Sequence, residues 1–114
     1  MRPNLLPAEP LAEVTFIHDY VQFGFQGDRF SCYNRMRVSG TSGSAMQGES
    51  AFAGALVGLI GQRVMRVTHS NAAALELHFA GGTSVQVLRG AGNEFGPESF
   101  QFSREGHALV VERN

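Results

Sequence analysis

Lysine is missing altogether from these 114 residues, and all nine basic side chains are arginine. That absence removes a phosphate-cradling P-loop lysine, a Schiff-base lysine for pyridoxal phosphate and a Ser-Lys dyad. Cysteine occurs once, as Cys32, so neither an intrachain disulfide nor a cysteine-rich zinc centre is available. Tryptophan is absent, and three of the four prolines lie within the first twelve residues. Long apolar runs are also lacking. The stretch from Ala51 to Ile60 is interrupted by Gly54 and Gly58 and reaches about half a membrane span. Residues 1–7 lack the apolar core of a signal peptide. With a formal net charge of −1, the chain generates little attraction for nucleic acid or anionic lipid. These absences set the expectation of a cytoplasmic protein with no nucleic-acid partner, no membrane partner and no cofactor.

What is present describes a folded domain. A hydrophobic share of 43% against 17% charged residues is that of a globular protein, and the length suits one domain over 13–114 with a loose lead-in over 1–12. Nine phenylalanines supply the bulky core, and fourteen glycines suit tight turns. From Glu13 onward apolar residues alternate. Val14 and Phe16, then Val21, Phe23 and Phe25, carry the period-two pattern of half-buried strands. Gln26-Gly27-Asp28 predicts a turn. The chain then returns as one strand from Arg29 to Val38, with Phe30, Cys32, Met36 and Val38 on one face and Arg29, Ser31, Tyr33, Arg35 and Arg37 on the other. Ser44 followed by Gln47 fits a capping box and predicts a helix from about Ala45 to Gly61. Phe52, Ala55, Leu56, Leu59 and Ile60 form its apolar stripe, with Gly54 and Gly58 permitting close approach to a sheet. Strands follow at 63–69, 73–80 and 83–89, then a loop over 90–96, then a closing hairpin pairing Phe100 and Phe102 with Leu109 and Val111.

The fold class implied is α+β and mostly β, with about seven to eight antiparallel strands and one helix on the apolar face of the twisted sheet. "VQFGFQGDRFSCY" and "LELHFAGGTSVQV" share an apolar-x-apolar-x-Phe-x-Gly scheme. The halves read either as a duplicated β-meander or as two ordinary hairpins with glycine turns.

The stretches "GLIGQRVMRVTHSNAAALELHFAGGTSVQVL" and "GPESFQFSREGHALVVE", with the Tyr33-Asn34 pair, resemble a group of small uncharacterised bacterial β-rich domains. The resemblance runs from about Glu13 to Glu112. Some domains of that kind sit near toxin–immunity loci, and the resemblance therefore implies a binding role; it supplies no catalytic residue.

Candidate sites are few. His18, Asp19 and His69 stand near strand ends and would form a metal site if a duplicated fold brought them together; the alternative is three ordinary surface residues. Cys32 lies on an apolar face, where a thiol acts as a small hydrophobe. The Arg29, Tyr33, Arg35 and Arg37 stripe is the candidate binding surface, because arginine and tyrosine combine flat contact area with directed hydrogen bonds. The competing account is a solvated face with scattered ion pairs, for example to Glu13, Glu76 or Asp19. The leading expectation is thus a non-enzymatic module that contacts a partner protein or a second copy of itself. The second is a ligand- or metal-binding protein or enzyme with a pocket between helix and sheet.

Overall fold

The computed structural model describes residues 4–114. Its elements follow in the order β1 (Glu13–Ile17), β2 (Tyr20–Gly24), β3 (Asp28–Cys32), β4 (Met36–Gly40), β5 (Gly43–Met46), α1 (Ser50–Val57), β6 (Val64–Thr68), β7 (Ala73–Phe79), β8 (Ser84–Leu88), β9 (Glu98–Arg104) and β10 (His107–Arg113). The ten strands make two antiparallel five-stranded sheets, one ordered β1-β2-β3-β9-β10 and the other β5-β4-β8-β7-β6. A mostly β chain with one short helix therefore stands, but the strand number rises from the expected seven to eight to ten.

Alternation dictates how the sheets face. In the first sheet Phe23, Phe30 and Phe102 stand side by side across three strands, and Val21, Cys32 and Phe100 form the adjoining row. In the second, Val38, Val85, Leu77 and Val67 form one row and Met36, Val87 and Leu75 another. These rows merge into one core between the sheets. Phe30 sits at its centre, 4.8 Å from the Phe102 ring centroid and edge-on to Phe25. Each such ring taken fully out of water contributes about 1.5–3 kcal/mol.

Two expectations are corrected. The strand read from Arg29 to Val38 is two strands in different sheets. The chain leaves the first sheet after Cys32, crosses at Tyr33-Asn34-Arg35 and enters the second at Met36. Asn34, almost wholly buried, fixes the crossing: its amide donates to the Leu88 carbonyl and exchanges two hydrogen bonds with the Asn114 side chain. Second, the residues from Gly43 to Met46 form β5 and not the start of the helix. The edge of β4 needs a backbone partner, and Ala45 buries itself opposite Val38. The helix begins at Ser50 after Glu49, whose carboxylate accepts from the Met46 amide at 2.6 Å.

α1 does not lie on the apolar face of a sheet, which the other sheet already covers. It packs against β1, β4 and β5 and closes that side of the sandwich with Phe52 and Leu56. Ile60, expected in its apolar stripe, is 45% exposed. Nor do Gly54 and Gly58 mediate close packing, since a Cβ on Gly54 meets nothing within 4 Å.

Among the described residues of the lead-in, 4–12 carry no strand or helix but are tied down. Leu11 is buried and its backbone bonds to Gln62 and Gly61, while Ala12 bonds to Gly24. Residues 1–3 of the expected lead-in lie outside the described residues.

The open space at Gly54 carries a prediction. Gly54→Ala removes backbone freedom from the unfolded chain without a clash, so the variant is expected to be more stable by about 0.5–1 kcal/mol. Urea unfolding monitored by circular dichroism measures it; a loss of stability would mean that α1 lies closer to the sheets than described.

Candidate functional site

The sheet switch divides the expected arginine–tyrosine stripe. Arg29 lies on the outer face of the first sheet, ion-paired with Glu13 and donating to Gln22. Arg37 lies on the outer face of the second, donating to Gln86 at 3.2 Å. Since the inner faces of the two sheets meet, these two guanidiniums point away from each other. Tyr33 and Arg35 do come together at the crossing. There Tyr33 packs against Tyr20 with ring centroids 5.2 Å apart, and the Arg35 guanidinium stands 5.8 Å from the centroid of Phe95. Desolvation, chiefly, raises the pKa of the Tyr33 phenol, which keeps it a neutral hydrogen-bonding group. Arg35 Nε is buried with no hydrogen-bond partner, and Phe95 is half exposed.

His18 and Asp19 occupy the turn between β1 and β2, whereas His69 follows β6 in the other sheet. Among the described residues no three His, Cys, Asp or Glu side chains gather closely enough to hold a metal ion. The three residues therefore do not form the metal site that a duplicated fold would have required. Cys32 is fully buried between Val21 and Phe100.

A different site emerges from the way the sandwich is closed. α1 seals the side where β1 and β5 are the edges. On the opposite side β6 and β10 are the edges, and between them lies a cavity of about 580 Å³. Its floor is apolar, formed by Ala74, Leu75, Phe100 and Val110, with Val67 on one lip. Leu5 and Leu6 of the lead-in close its lower end. They are held there by a chain of contacts that begins inside the core. Asp28 and Arg104 are opposite one another at the end of the phenylalanine rows, and the Arg104 Nε donates to Asp28 at 2.7 Å. The Arg104 guanidinium also covers the Phe102 ring and reaches the Asn4 carbonyl.

The upper end and rim are polar, with Arg66, Thr68, His69, Arg89 and Glu112. Arg89 donates its Nε to the Ser70 carbonyl, and its terminal nitrogens make no hydrogen bond among the described residues. The Thr68 hydroxyl is shared with His78 at 2.8 Å. Both lips are bulged, β6 at Met65 and β10 at Leu109. Such irregular edges resist addition of another strand, so the cleft is poorly suited to sheet extension by a second copy.

The sequence singles out few of these residues: His69 as a metal candidate and Phe100 as part of the closing hairpin. One signal was present: the adjacent leucines, Leu5 and Leu6, in a stretch otherwise read as a loose lead-in. Comparison with known proteins finds no match to a family model, to a curated protein or to a solved structure.

Cys32 is chemically quiet. Burial drives the Cys32 thiol far above its ordinary pKa, so no thiolate forms at neutral pH. Iodoacetamide is expected to leave the native protein unmodified over hours and to alkylate it at once in guanidinium chloride, as read by intact mass. Rapid labelling of the folded chain would contradict the burial of β3.

Proposed function

We propose that this domain is a non-enzymatic binding module whose site is the cleft between β6 and β10, and that it takes a small ligand with an apolar body. One observation supports the reading above the others: a cavity of about 580 Å³ between the two sheets, lined by apolar side chains together with a smaller set of polar ones. Its size falls within the ~300–1,000 Å³ of ligand pockets, and such a lining holds a ligand by burial while the rim orients it. A pocket between helix and sheet was the expected form of this function. The hollow beneath α1 is smaller, about 390 Å³, and more open, which favours the opposite side of the sandwich.

The test uses a neutral fluorescent probe, N-phenyl-1-naphthylamine, so that charge plays no part. Saturable one-to-one binding is expected for the parent. Val67 is half-buried on an edge strand and lines the cleft, so Val67→Trp is expected to fill it, with circular dichroism checking that the fold is kept. That variant is expected to bind at least about tenfold more weakly, the equivalent of losing ~1.4 kcal/mol of apolar burial. Absence of saturable binding, or equal binding by the variant, would refute the cleft as the site.

A second reading is favoured by the orphaned Nε of Arg35 and the exposed ring of Phe95. Tyr20, Tyr33, Arg35 and Phe95 form an aromatic and cationic cluster at the crossing, of the kind concentrated in protein contacts. We propose it as a contact surface for a partner protein or a second copy; an immunity-like role, implied by the resemblance to small bacterial domains, would be one instance. Arg35→Glu combined with Phe95→Ala is expected to abolish any self-association seen by light scattering at high concentration. Unchanged association would remove Tyr33 and Arg35 from the functional surface.

A further inference from the structure

The polar end of the β6–β10 cleft narrows the ligand class. We infer that the cleft binds an amphipathic molecule with an anionic head, a carboxylate or a phosphate monoester, joined to an acyl or aromatic tail. This rests on the cleft being the site, as proposed above.

The argument begins with how differently the two sides of the sandwich are filled. Each sheet is a three-stranded meander completed by a hairpin from elsewhere in the chain. β1-β2-β3 receives β9-β10 next to β3, and β6-β7-β8 receives β4-β5 next to β8. The two sheets are thus built alike, and each side of the sandwich is bounded by the outer strand of one meander and the outer strand of one hairpin. On the β1–β5 side, Phe52 and Leu56 of α1 plug the opening with apolar side chains. On the β6–β10 side the floor is apolar too, but among the described residues of the lead-in Leu5 and Leu6 are the apolar ones that enter. The remainder is left to a tail that does there what Phe52 and Leu56 do opposite.

Charge then sets the head. The lining residues include two arginines, Arg66 and Arg89, against one acidic residue, Glu112. Neither arginine forms an ion pair among the described residues, in contrast to Arg29 and Arg104. Arg89 is half-buried, and its Nε bond to Ser70 fixes the plane of the guanidinium so that its terminal nitrogens form a two-pronged donor. Such a fork matches a carboxylate or a phosphate oxygen pair. Because Arg89 and His69 lie at the upper end and Leu5 and Leu6 at the lower, head and tail have one orientation.

Calorimetric titration of the full chain with four eight-carbon probes tests this: octanoate, octyl phosphate, octan-1-ol and octyltrimethylammonium. Both anions are expected to bind about tenfold or more tightly than the alcohol, the size of a charge-assisted hydrogen bond, and the cation weakest of all. The stronger of octanoate and octyl phosphate identifies the head. Arg89→Gln is expected to reduce anion affinity to that of octan-1-ol while leaving the alcohol unaffected, and Arg89→Lys to restore part of it. If octan-1-ol binds as tightly as the anions, or Arg89→Gln leaves the preference intact, the anionic head is wrong while the cleft stands. If no probe binds, or Val67→Trp binds all four like the parent, the cleft itself is wrong.

Discussion

Two sheets with one apolar face each can hide those faces only against one another, and this chain must therefore change sheets between β3 and β4 within three residues. The crossing exposes backbone groups to the interior, where an unpaired donor or acceptor costs about 1–3 kcal/mol. The surrounding bonds meet that demand. Tyr33 and Asn34 donate their amides to Ser99, Arg35 donates to Asn93 and accepts from Leu88, and the buried Asn34 side chain ties Leu88 to Asn114. The last residue of the chain is thereby fastened to its middle. Every row of the core takes its position from this link.

The same constraint explains why the two sides of the sandwich differ. After β5 the chain forms α1, which covers one open side with Phe52 and Leu56 before β6 begins. On the other side, the cover among the described residues comes from Leu5 and Leu6 of the lead-in. Its placement depends on a partly buried ion pair. Asp28 is nearly inaccessible, and Arg104 extends from it over Phe102 to the Asn4 carbonyl. A pair of this kind adds little net stability once desolvation is counted. Its structural effect is positional: it sets where Leu5 and Leu6 stop, and so the depth of the cleft.

Unmet bonding capacity in this fold is accordingly a property of edges and ends. The outer faces of both sheets carry hydrogen-bonded polar ladders, Arg29 with Gln22 and Glu13 on one and Arg37 with Gln86, Ser39 and Ser84 on the other. Their bonding capacity is largely met within the chain. Unmet capacity collects at two places, the crossing with Arg35 and Phe95, and the rim of the cleft with Arg66 and Arg89.

Local pattern alone determined which residues are buried. Phe30, Cys32, Met36 and Val38 face inward as their spacing requires, and the turns at Gly27, Gly82 and Gly106 fall where positive φ was demanded. The later strands were equally legible, but the closing hairpin was not: Leu109 and Val111, expected opposite Phe100 and Phe102, are exposed, and Val110 and Glu112 take those places because the bulge at Leu109 shifts the alternation. What alternation does not record is which sheet a strand belongs to. Even-numbered residues from Phe30 to Val38 stay inside straight through the crossing, Asn34 included, so the pattern runs unbroken while the backbone changes partners. Only the polar Asn34 in an apolar row hinted at the switch. Tertiary pairing also decided that Gly43–Met46 is a strand, because the edge of β4 supplied hydrogen bonds that a capping motif could not match. The cleft was the least legible feature. It is lined by residues from four strands, two connections and the lead-in, and a cavity is made by the space between elements that no single stretch of sequence encodes.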